Sequence, residues 1–366
     1  MYLHQRRNWT DFTWDEEKVF PKLSEVRFKQ GQILGAMSQI GFDLQNEAML
    51  QTLTSDVLKS SEIEGELLDS DEVRSSIARR LGLKIEHSVP SDRNVDGVVE
   101  MLVEASQNYE AVLTRERLFE WHTMLFPSGR SGATKIVVGN WRNNPKDDPM
   151  RVISGAIGRE VIHFVAPDSE RIDAEIQIFL SWFNQPVDID PLLKSAIAHF
   201  WFVTIHPFED GNGRISRAIA DMQLCRADKT GQRFYSMSAQ IRQERKVYYN
   251  ILERTQSGDG DITDWLLWYL ACLERAIDAT KILLESVFRK AKLWEMPVAR
   301  TFNERQRAML NKLLENFDGK LTSSKWAKMM KCSQDTASRD IQDLIHKGIL
   351  EKDFAGGRST NYLLTF

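Results

Sequence analysis

The amino-acid sequence predicts a mainly α-helical protein with a β-hairpin inserted in its middle and a winged helix-turn-helix at its C-terminal end. Two observations carry this fold class. Apolar residues recur at helical spacings through most of the chain, and short β-branched runs cluster only between residues 135 and 167. In addition, the last block orders three helical segments before a hairpin. We therefore expect three parts, at residues 1–92, 93–285 and 300–366.

Length and composition exclude several classes of protein. The chain has 366 residues, of which 42% are hydrophobic and 27% charged, and its net charge is −4. Such a composition is typical of a globular protein and differs from that of disordered or fibrous chains. The charge balance excludes a uniformly basic nucleic-acid coat, although it leaves room for one basic module.

The sequence also predicts a cytoplasmic protein. No apolar run approaches the roughly 18 residues that a membrane span requires, so no membrane association is expected. The basic N-terminal stretch MYLHQRRNWTDF is not followed by the apolar region of a secretory signal. Cys225, Cys272 and Cys332 are scattered and odd in number, which is typical of a reducing compartment.

The first two parts are predicted from periodicity and breakers. Leu23, Ile33 and Ile40 belong to a run of apolar residues at helical spacing, and helical spacing returns from residue 98 to residue 126. Between these segments the polar stretch HSVPSDRNVD (87–96) contains a proline and predicts a linker. Helical spacing also covers 172–205, a segment after residue 213, 264–272 and a connecting stretch at 271–292.

The hairpin is predicted from residues 135 to 167. KIVVG, RVISG and EVIHFVAP are short β-branched runs separated by Gly, Pro, Asn and Asp. This pattern is typical of strands.

The C-terminal block has its own pattern. Helices are expected at 304–316, 323–330 and 334–347, followed by a hairpin that turns at Gly356-Gly357. Residues 301–366 hold eleven Lys and Arg against eight Asp and Glu, a net charge of +3. The candidate DNA-contacting residues are Ser333, Gln334, Thr336 and Arg339 in the recognition helix, with Lys352 and Arg358 in the wing. DNA binding and protein docking or dimerisation both remain open, since winged helices serve each purpose.

Residues 206–217 carry the strongest chemical signal, HPFEDGNGRISR. His206 is a candidate general base and Asp210 a carboxylate suited to Mg²⁺. The turn Gly211-Asn212-Gly213 lets backbone N–H groups approach an anion, and the helix that follows presents its positive end there.

Two arginines complete this pattern. Arg214 and Arg217 are three residues apart on that helix and can bind phosphate oxygens from one face. Each feature alone also has an ordinary structural explanation, such as a common turn or a solvated helix face. Their combination within twelve residues indicates a site for triphosphate chemistry.

These residues resemble the signature of the Fic (filamentation induced by cAMP) family, HPFx(D/E)GN(G/K)RxxR, at every fixed position. The resemblance implies a helical Fic core that transfers AMP from ATP to a Ser, Thr or Tyr hydroxyl of a target protein. It implies that His206 is the base, that Asp210 holds Mg²⁺ and that Phe208 anchors the loop. ATP would be bound by the segment from Gly211 through Asn212, Gly213, Arg214, Ile215, Ser216 and Arg217.

Two further segments are similar to parts of Fic proteins. GNWR (139–142) and the strands of 151–167 resemble the flap that aligns a target segment by strand addition, with Val161, Ile162, His163 and Phe164 as flap residues. VYYNILERTQSGD resembles the segment that packs on adenine, which makes Tyr248, Tyr249 and Gln256 nucleotide candidates. A plain structural hairpin and a core tyrosine pair are the alternatives.

The N-terminal part contains SSEIEGE (60–66), which fits the Fic inhibitory motif (S/T)xxxE(G/N) with Ser60, Glu64 and Gly65 in its fixed places. Ser61 and Glu64 also fit an ordinary capping box. The resemblance implies that Glu64 pairs with Arg217 and holds ATP in an unproductive orientation. In some Fic proteins the same glutamate supports AMP removal. The opening WTDFTWDEEKVFPKL resembles a helical domain that precedes many bacterial Fic cores.

The resemblance therefore implies an autoinhibited protein adenylyltransferase that uses ATP and Mg²⁺ and acts on a target protein or on itself. Two alternatives stay open. One is a nucleotide-sensing, DNA-binding transcriptional regulator. The other is a Fic enzyme that transfers or removes another phosphate-linked group, such as UMP or phosphocholine. A homodimer is also compatible with the sequence.

Overall fold

The computed structural model describes residues 1–85, 88–154, 161–315, 317, 319–353 and 360–365. The chain forms two compact units, residues 1–280 and 281–366. Residues 1–92 and 93–280 share the first unit, so the expected boundary at residue 92 does not separate two compact bodies. The division into 1–92, 93–285 and 300–366 stays a prediction.

Helices dominate the first unit, which confirms the mainly α fold class. They are α1 (Glu16–Ser38), α2 (Phe42–Ile63), α3 (Ser70–Leu81), α4 (Arg93–Gln107), α5 (Arg115–Leu125), α6 (Ile172–Asn184), α7 (Pro191–Ile205), α8 (Asn212–Asp228), α9 (Met237–Gln243), α10 (Arg245–Gln256) and α11 (Thr263–Glu295). Helix α11 is one continuous element, whereas the sequence predicts two overlapping helical segments at 264–272 and 271–292.

Capping residues fix the helix boundaries near the predicted linker. Helix α3 ends at Gly82, whose φ of +67° suits glycine, and Asp92 caps α4 by accepting hydrogen bonds from the N–H groups of Asn94 and Val95. The helical segment expected at 98–126 is interrupted after Gln107 and resumes behind Thr114, whose hydroxyl accepts from the N–H of Arg117. Residues 86 and 87 lie outside the described residues.

Helices α7 and α8 form the centre of the first unit. Every residue from Leu192 to Ile205 is buried, because this segment is apolar around its whole circumference and must be covered on all sides. Helix α8 packs along it and buries its first four turns almost completely. The loop 206–211 that joins the two helices carries the signature residues.

Short strands accompany the helices. The pairs are β1 (Arg130–Ser131) with β2 (Thr134–Lys135), and β3 (Arg151–Ser154) with β4 (Val161–Val165), each antiparallel. The β3–β4 pair confirms the predicted hairpin, whose connecting residues 155–160 lie outside the described residues.

The strand expected from KIVVG (135–139) is wrong beyond Lys135, the last residue of β2, and GNWR (139–142) forms no strand either. The N–H of Val137 donates to the Glu209 carboxylate and the N–H of Arg142 donates to the Pro207 carbonyl. Because these donors bind the signature loop, they are not free to form a strand ladder.

The second unit contains α12 (Glu304–Glu315), α13 (Ser323–Met329), α14 (Gln334–His346), β5 (Leu350–Lys352) and β6 (Tyr362–Leu364), with β5 and β6 antiparallel. Trp326, Leu310 and Ile341 lie in its apolar core. This order agrees with the predicted elements, and the winged helix-turn-helix interpretation stays a prediction. The turn at Gly356-Gly357 and Arg358 lie outside the described residues.

Within the part of the chain that the structure describes, no helix combines the length and the apolar character needed to cross a membrane.

Candidate active site

His206 lies at the junction where α7 ends. Its backbone adopts φ +52°, which turns the chain out of the helix, and Pro207 prevents the helix from continuing. The imidazole Nδ1 lies 3.2 Å from the Val203 carbonyl oxygen and donates to it, which leaves Nε2 as the unprotonated nitrogen. Burial lowers the pKa of His206 to about 4, so the ring is neutral at physiological pH.

Arg142 holds the backbone around this histidine. Its Nε donates to the His206 carbonyl at 2.8 Å and its Nη2 donates to the Pro167 carbonyl at 2.6 Å. The side chain is buried, so these bonds are not exchanged for water. Arg142 therefore fixes the position of His206 relative to the segment that follows β4.

A reciprocal pair of hydrogen bonds closes the signature loop. The N–H of Phe208 donates to Asn212 Oδ1 and Asn212 Nδ2 donates to the Phe208 carbonyl, each at 2.9 Å. Both residues are buried. The Phe208 ring stacks on the His122 ring with a centroid separation of 4.1 Å, which supports its expected role as the loop anchor.

His122 supports the loop in a single tautomer. Its Nδ1 accepts from the Gly139 N–H at 3.1 Å, so its Nε2–H donates to the Asp210 carbonyl at 3.2 Å. Burial lowers the pKa of His122 to about 4, which keeps this arrangement neutral.

Asp210 presents a carboxylate beside the turn. Oδ1 accepts from the Gly211 N–H at 2.6 Å, Oδ2 accepts from the Ser131 hydroxyl, and the side chain is 42% exposed. No cluster of three or more acidic, histidine or cysteine ligands occurs among the described residues. A single accessible carboxylate fits Mg²⁺, because this ion keeps several waters and shares phosphate oxygens of a nucleotide.

The anion turn requires its glycines. Gly211 has φ +82°, and a Cβ there would lie 2.9 Å from the Phe126 ring. A Cβ on Gly213 would lie 2.3 Å from Glu64 Oε1, so a larger residue cannot coexist with the present position of Glu64. The turn leads directly into the N-terminus of α8, where unpaired N–H groups favour an anion.

Arg214 and Arg217 lie on the first turns of α8, and each side chain is only 2% exposed. Arg214 Nε and Arg217 Nη1 are buried and have no hydrogen-bond partner among the described residues. Two buried cationic groups with unused donors fit a polyphosphate, because it supplies several charged acceptors.

The C-terminal end of α2 occupies Arg217. The Arg217 guanidinium donates to Ser60 Oγ at 2.9 Å, to the Ser60 carbonyl at 3.0 Å and to Glu64 Oε1 at 2.7 Å. Although burial acts to lower the pKa of Arg217, the Glu64 carboxylate raises it, and the net shift is upward. Gly65 follows with φ +90° and ends the helix. The structure thus brings two of the three predicted inhibitory residues, Ser60 and Glu64, to the signature arginine, and Gly65 shapes the turn that follows them.

The other predicted ATP-binding residues differ in accessibility. Ile215 is fully buried, and the Ser216 hydroxyl donates to the Gly213 carbonyl, so both side chains serve the helix. Tyr248 is buried and its hydroxyl lies 2.9 Å from His199 Nε2, whereas Tyr249 is partly exposed. Gln256 Nε2 donates to Thr204 Oγ1. Nucleotide contact by these residues stays a prediction, for which Tyr249 is the most accessible of them.

The predicted flap residues divide by direction. Val161 and Ile162 are exposed, whereas Phe164 is buried against the rings of Tyr2 and His4. His163 Nδ1 lies 2.7 Å from Glu253 Oε2 on α10. Val161 and Ile162 are therefore accessible and Phe164 anchors the hairpin, whereas the flap role of the four residues stays a prediction.

Several residues that build the site were not predicted from the sequence, namely His122, Ser131, Arg142 and Glu66. Each acts through a partner far away in the chain, and His122 and Arg142 contact the loop from 88 and 64 residues away. No local spacing marks such contacts. Glu66 could have been noticed, because it is an acidic residue two positions after the predicted inhibitory glutamate.

Residues 112–224 match the family model described as Fic/DOC family. This chain contains a Fic domain. Residues 2–83 match a second model, a domain of unknown function called DUF4172. The Fic match covers α5–α8, which hold the signature loop and both arginines, and the DUF4172 match covers α1–α3, which hold the inhibitory motif.

Curated relatives of the Fic domain include two proteins named protein adenylyltransferase Fic. The one from Nematostella vectensis is 33% identical over 117 residues, which is 31% of this chain and 26% of the relative. The one from Aedes aegypti is 36% identical over 102 residues, which is 27% of this chain and 19% of the relative. The matches span about a quarter or less of these relatives.

Two solved structures have a similar fold. A Fic family protein from Desulfovibrio desulfuricans has a TM-score of 0.54 at 19% identity, and the match covers 94% of this chain and 96% of that one. A Fic domain containing signaling protein from Bacteroides thetaiotaomicron has a TM-score of 0.51 at 20% identity, covering 71% and 95%. They confirm the Fic fold.

Proposed function

We propose that this protein is an adenylyltransferase that transfers AMP from ATP to a Ser, Thr or Tyr hydroxyl of a protein, and that Glu64 inhibits it. The proposal depends mainly on one observation: the segment 206–217 carries a neutral His206 and two buried arginines, one of which is paired with Glu64 at 2.7 Å. The family relationship to proteins named adenylyltransferase supports ATP as the nucleotide.

The proposed reaction begins with His206. Because Nδ1 donates to the Val203 carbonyl, Nε2 is the acceptor nitrogen of the ring, and in the proposed reaction it takes the proton of the attacking hydroxyl. The hydroxyl oxygen forms a bond to the α-phosphorus, and the bond from that phosphorus to the pyrophosphate oxygen breaks. The products are an AMP–protein ester and pyrophosphate.

The remaining residues stabilise charge. The N–H groups of the turn Gly211-Asn212-Gly213 are suited to α-phosphoryl oxygens, and Arg214 and Arg217 to the other phosphates. Asp210 would hold Mg²⁺, which neutralises negative charge on the triphosphate. The side chain of Asp210 is positioned for this role by the Gly211 N–H and the Ser131 hydroxyl.

Inhibition follows from the position of Glu64. Its carboxylate occupies Arg217 and lies beside Gly213, so its charge repels a bound triphosphate. Removing this carboxylate leaves Arg217 without an ion-pair partner and opens the space beside Gly213. We therefore expect the wild-type chain to be a weak transferase.

The test compares wild type, Glu64→Gly and Glu64→Gly/His206→Ala with α-labelled ATP, Mg²⁺ and cell lysate. Label on protein only in the single variant supports transfer, inhibition and the base together. Glu47→Gly is the matched control, because Glu47 is an acidic residue of the same helix that pairs with Arg74 outside the site. This variant should label protein no more than wild type does. No label in any variant that still binds ATP would refute transfer and favour the nucleotide-sensing regulator.

The same assay separates related activities. Competition with UTP or CDP-choline that abolishes labelling by ATP would favour a Fic enzyme that transfers another phosphate-linked group. Loss of AMP from pre-labelled protein on adding the wild-type chain would show removal. The modified protein in the gel identifies either a lysate target or self-modification.

A second proposed function is DNA binding by the C-terminal unit. Helices α13 and α14 form a helix-turn-helix order, and Lys328, Lys331 and Arg339 on and between them are exposed. Of the predicted contact residues in the recognition helix, Ser333 and Thr336 are engaged in capping α14, which leaves Gln334 and Arg339 as the exposed base-reading candidates.

Gel-shift titrations of the full chain on mixed duplex DNA test this function. Lys328→Ala/Lys331→Ala should weaken binding and reduce its salt dependence. A protein that contacts fewer phosphates releases fewer counterions from the DNA when it binds. Arg300→Ala/Lys312→Ala removes the same two positive charges outside α13 and α14 and is the charge-matched control. Equal binding by all three proteins, or none at low salt, would refute the proposal.

A further inference from the structure

Arg214, like Arg217, is paired with a carboxylate from the N-terminal part of the chain. Glu66 Oε2 lies 2.7 Å from Arg214 Nη1, and Arg214 is 2% exposed whereas Glu66 is 43% exposed. Glu66 is outside the motif formed by Ser60, Glu64 and Gly65. Both arginines of the proposed phosphate site therefore bind a carboxylate from the same three-residue segment.

The backbone at the end of α2 explains how one segment reaches both arginines. The N–H groups of Glu64 and Glu66 both donate to the Ser61 carbonyl, each at 3.0 Å. Gly65 lies between them at φ +90°, a conformation that L side chains rarely adopt. This turn directs the two carboxylates to Arg214 and Arg217, which lie three residues apart on one face of α8.

The turn is held from outside the site. Arg245 Nε donates to the Ile63 carbonyl at 2.7 Å, and Arg242 Nε lies 3.3 Å from Glu62. These contacts involve neither Glu64 nor Glu66. Neutralising one carboxylate should therefore leave the backbone of the turn and the other carboxylate in place.

We propose that Glu64, Gly65 and Glu66 form a two-carboxylate inhibitory segment that competes with the triphosphate for both Arg214 and Arg217. The two carboxylates occupy the guanidinium groups that two phosphates would use. Inhibition thus acts on nucleotide binding as well as on the orientation of the α-phosphorus. This inference rests on the proposed function for the identity of the competing anion.

The consequence differs from that of Glu64 alone. With one inhibitory carboxylate, ATP binds through Arg214 and is only misoriented. With two, the wild-type chain must break two charge-assisted contacts before both arginines bind phosphates, so neutralising either glutamate should tighten nucleotide binding. A charge-assisted hydrogen bond of ordinary strength corresponds to roughly a tenfold change in the dissociation constant.

Calorimetric titration of the full chain with Mg²⁺ and a non-hydrolysable ATP analogue tests this inference. Glu66→Gln and Glu64→Gln keep the side-chain shape and remove the charge, and each should tighten binding by roughly tenfold. The double variant should bind more tightly than either. Glu47→Gln is the control and should bind like wild type, because Glu47 lies earlier in α2 and pairs with Arg74.

The outcomes are distinguishable. Wild-type affinity in Glu66→Gln, together with tighter binding in Glu64→Gln, would overturn the role of Glu66 and leave the proposed function intact. Tighter nucleotide binding by Glu66→Gln, together with no protein labelling by Glu64→Gly, would support the two-carboxylate segment and refute the transferase function. Glu66→Asp shows whether charge decides the effect, since it keeps the charge on a shorter side chain and should bind more weakly than Glu66→Gln.

Discussion

The contact between Glu64 and Arg217 should make the inhibited state more stable and less responsive to nucleotide. Glu64→Ala removes one charge-assisted hydrogen bond of 2.7 Å from a guanidinium that is 2% exposed. Such bonds contribute about 1.5–3 kcal/mol to the free energy of unfolding. Because Glu64 is 28% exposed, solvent screening places the loss nearer the lower end, at about 2 kcal/mol.

Two bonds to Ser60 limit the damage. Arg217 keeps its contacts with the Ser60 hydroxyl and carbonyl, so the guanidinium is not left without partners. A loss of about 2 kcal/mol lowers the melting temperature by about 4–8 °C in domains of this size class. A bound nucleotide at 100 times its dissociation constant adds about 2.7 kcal/mol to the free energy of unfolding. The saturated variant should therefore be at least as stable as wild type without nucleotide.

Urea and thermal unfolding with and without a non-hydrolysable ATP analogue and Mg²⁺ measure both effects. Glu47→Ala is the matched control, since it removes a carboxylate of the same helix, one that pairs with Arg74, without touching Arg217. A Glu64→Ala chain as stable as wild type without nucleotide would refute the energetic reasoning. So would a stabilisation by nucleotide that is as large in wild type as in the variant.

Two further predictions concern the support and the protonation of the base. Arg142→Gln in the Glu64→Gly background should lower kcat tenfold or more with little change in KM for ATP. The substitution releases the His206 carbonyl but leaves Arg214 and Arg217 in place. An equally large effect on KM would contradict the positioning role of Arg142. Because burial lowers the pKa of His206 to about 4, kcat/KM of Glu64→Gly should stay near its plateau at pH 5.5, where an ordinary histidine would be only about one-tenth neutral. Stability should depend on pH in this range even though activity does not. Below pH 6.5 the histidine is protonated in the unfolded chain but still neutral in the folded one, so the free energy of unfolding should fall as the pH drops from about 6.5 towards 4. An acid limb of kcat/KM centred near 6.5 would refute the assignment.

Local patterns were sufficient to predict much of this molecule. The all-round apolar character of 192–205 predicts the buried helix α7, and the spacing within 206–217 places His206, Asp210, Arg214 and Arg217 around one helix end. The contact between Glu64 and Arg217 spans 153 residues, so it could be predicted only from the resemblance to a family.

The missed features depend on contacts between distant segments. Arg142 reads as part of a strand in the sequence, but its N–H donates to Pro207 and its side chain to the His206 carbonyl. His122 lies on an ordinary amphipathic helix, and only the fold stacks its ring on Phe208. In both cases the partner is chosen by tertiary packing, which periodicity and propensity do not record.

The position of the label in the transferred group tests the central claim most directly. Glu64→Gly is incubated with Mg²⁺, lysate and ATP labelled on either the α- or the γ-phosphate, beside Glu64→Gly/His206→Ala. We predict that Glu64→Gly adds α-label to protein, that it adds no γ-label beyond the level that lysate kinases produce beside the double variant, and that the loss of His206 abolishes the α-label. Additional γ-label that depends on the chain would contradict AMP transfer, and undiminished α-labelling without His206 would contradict its role as the base.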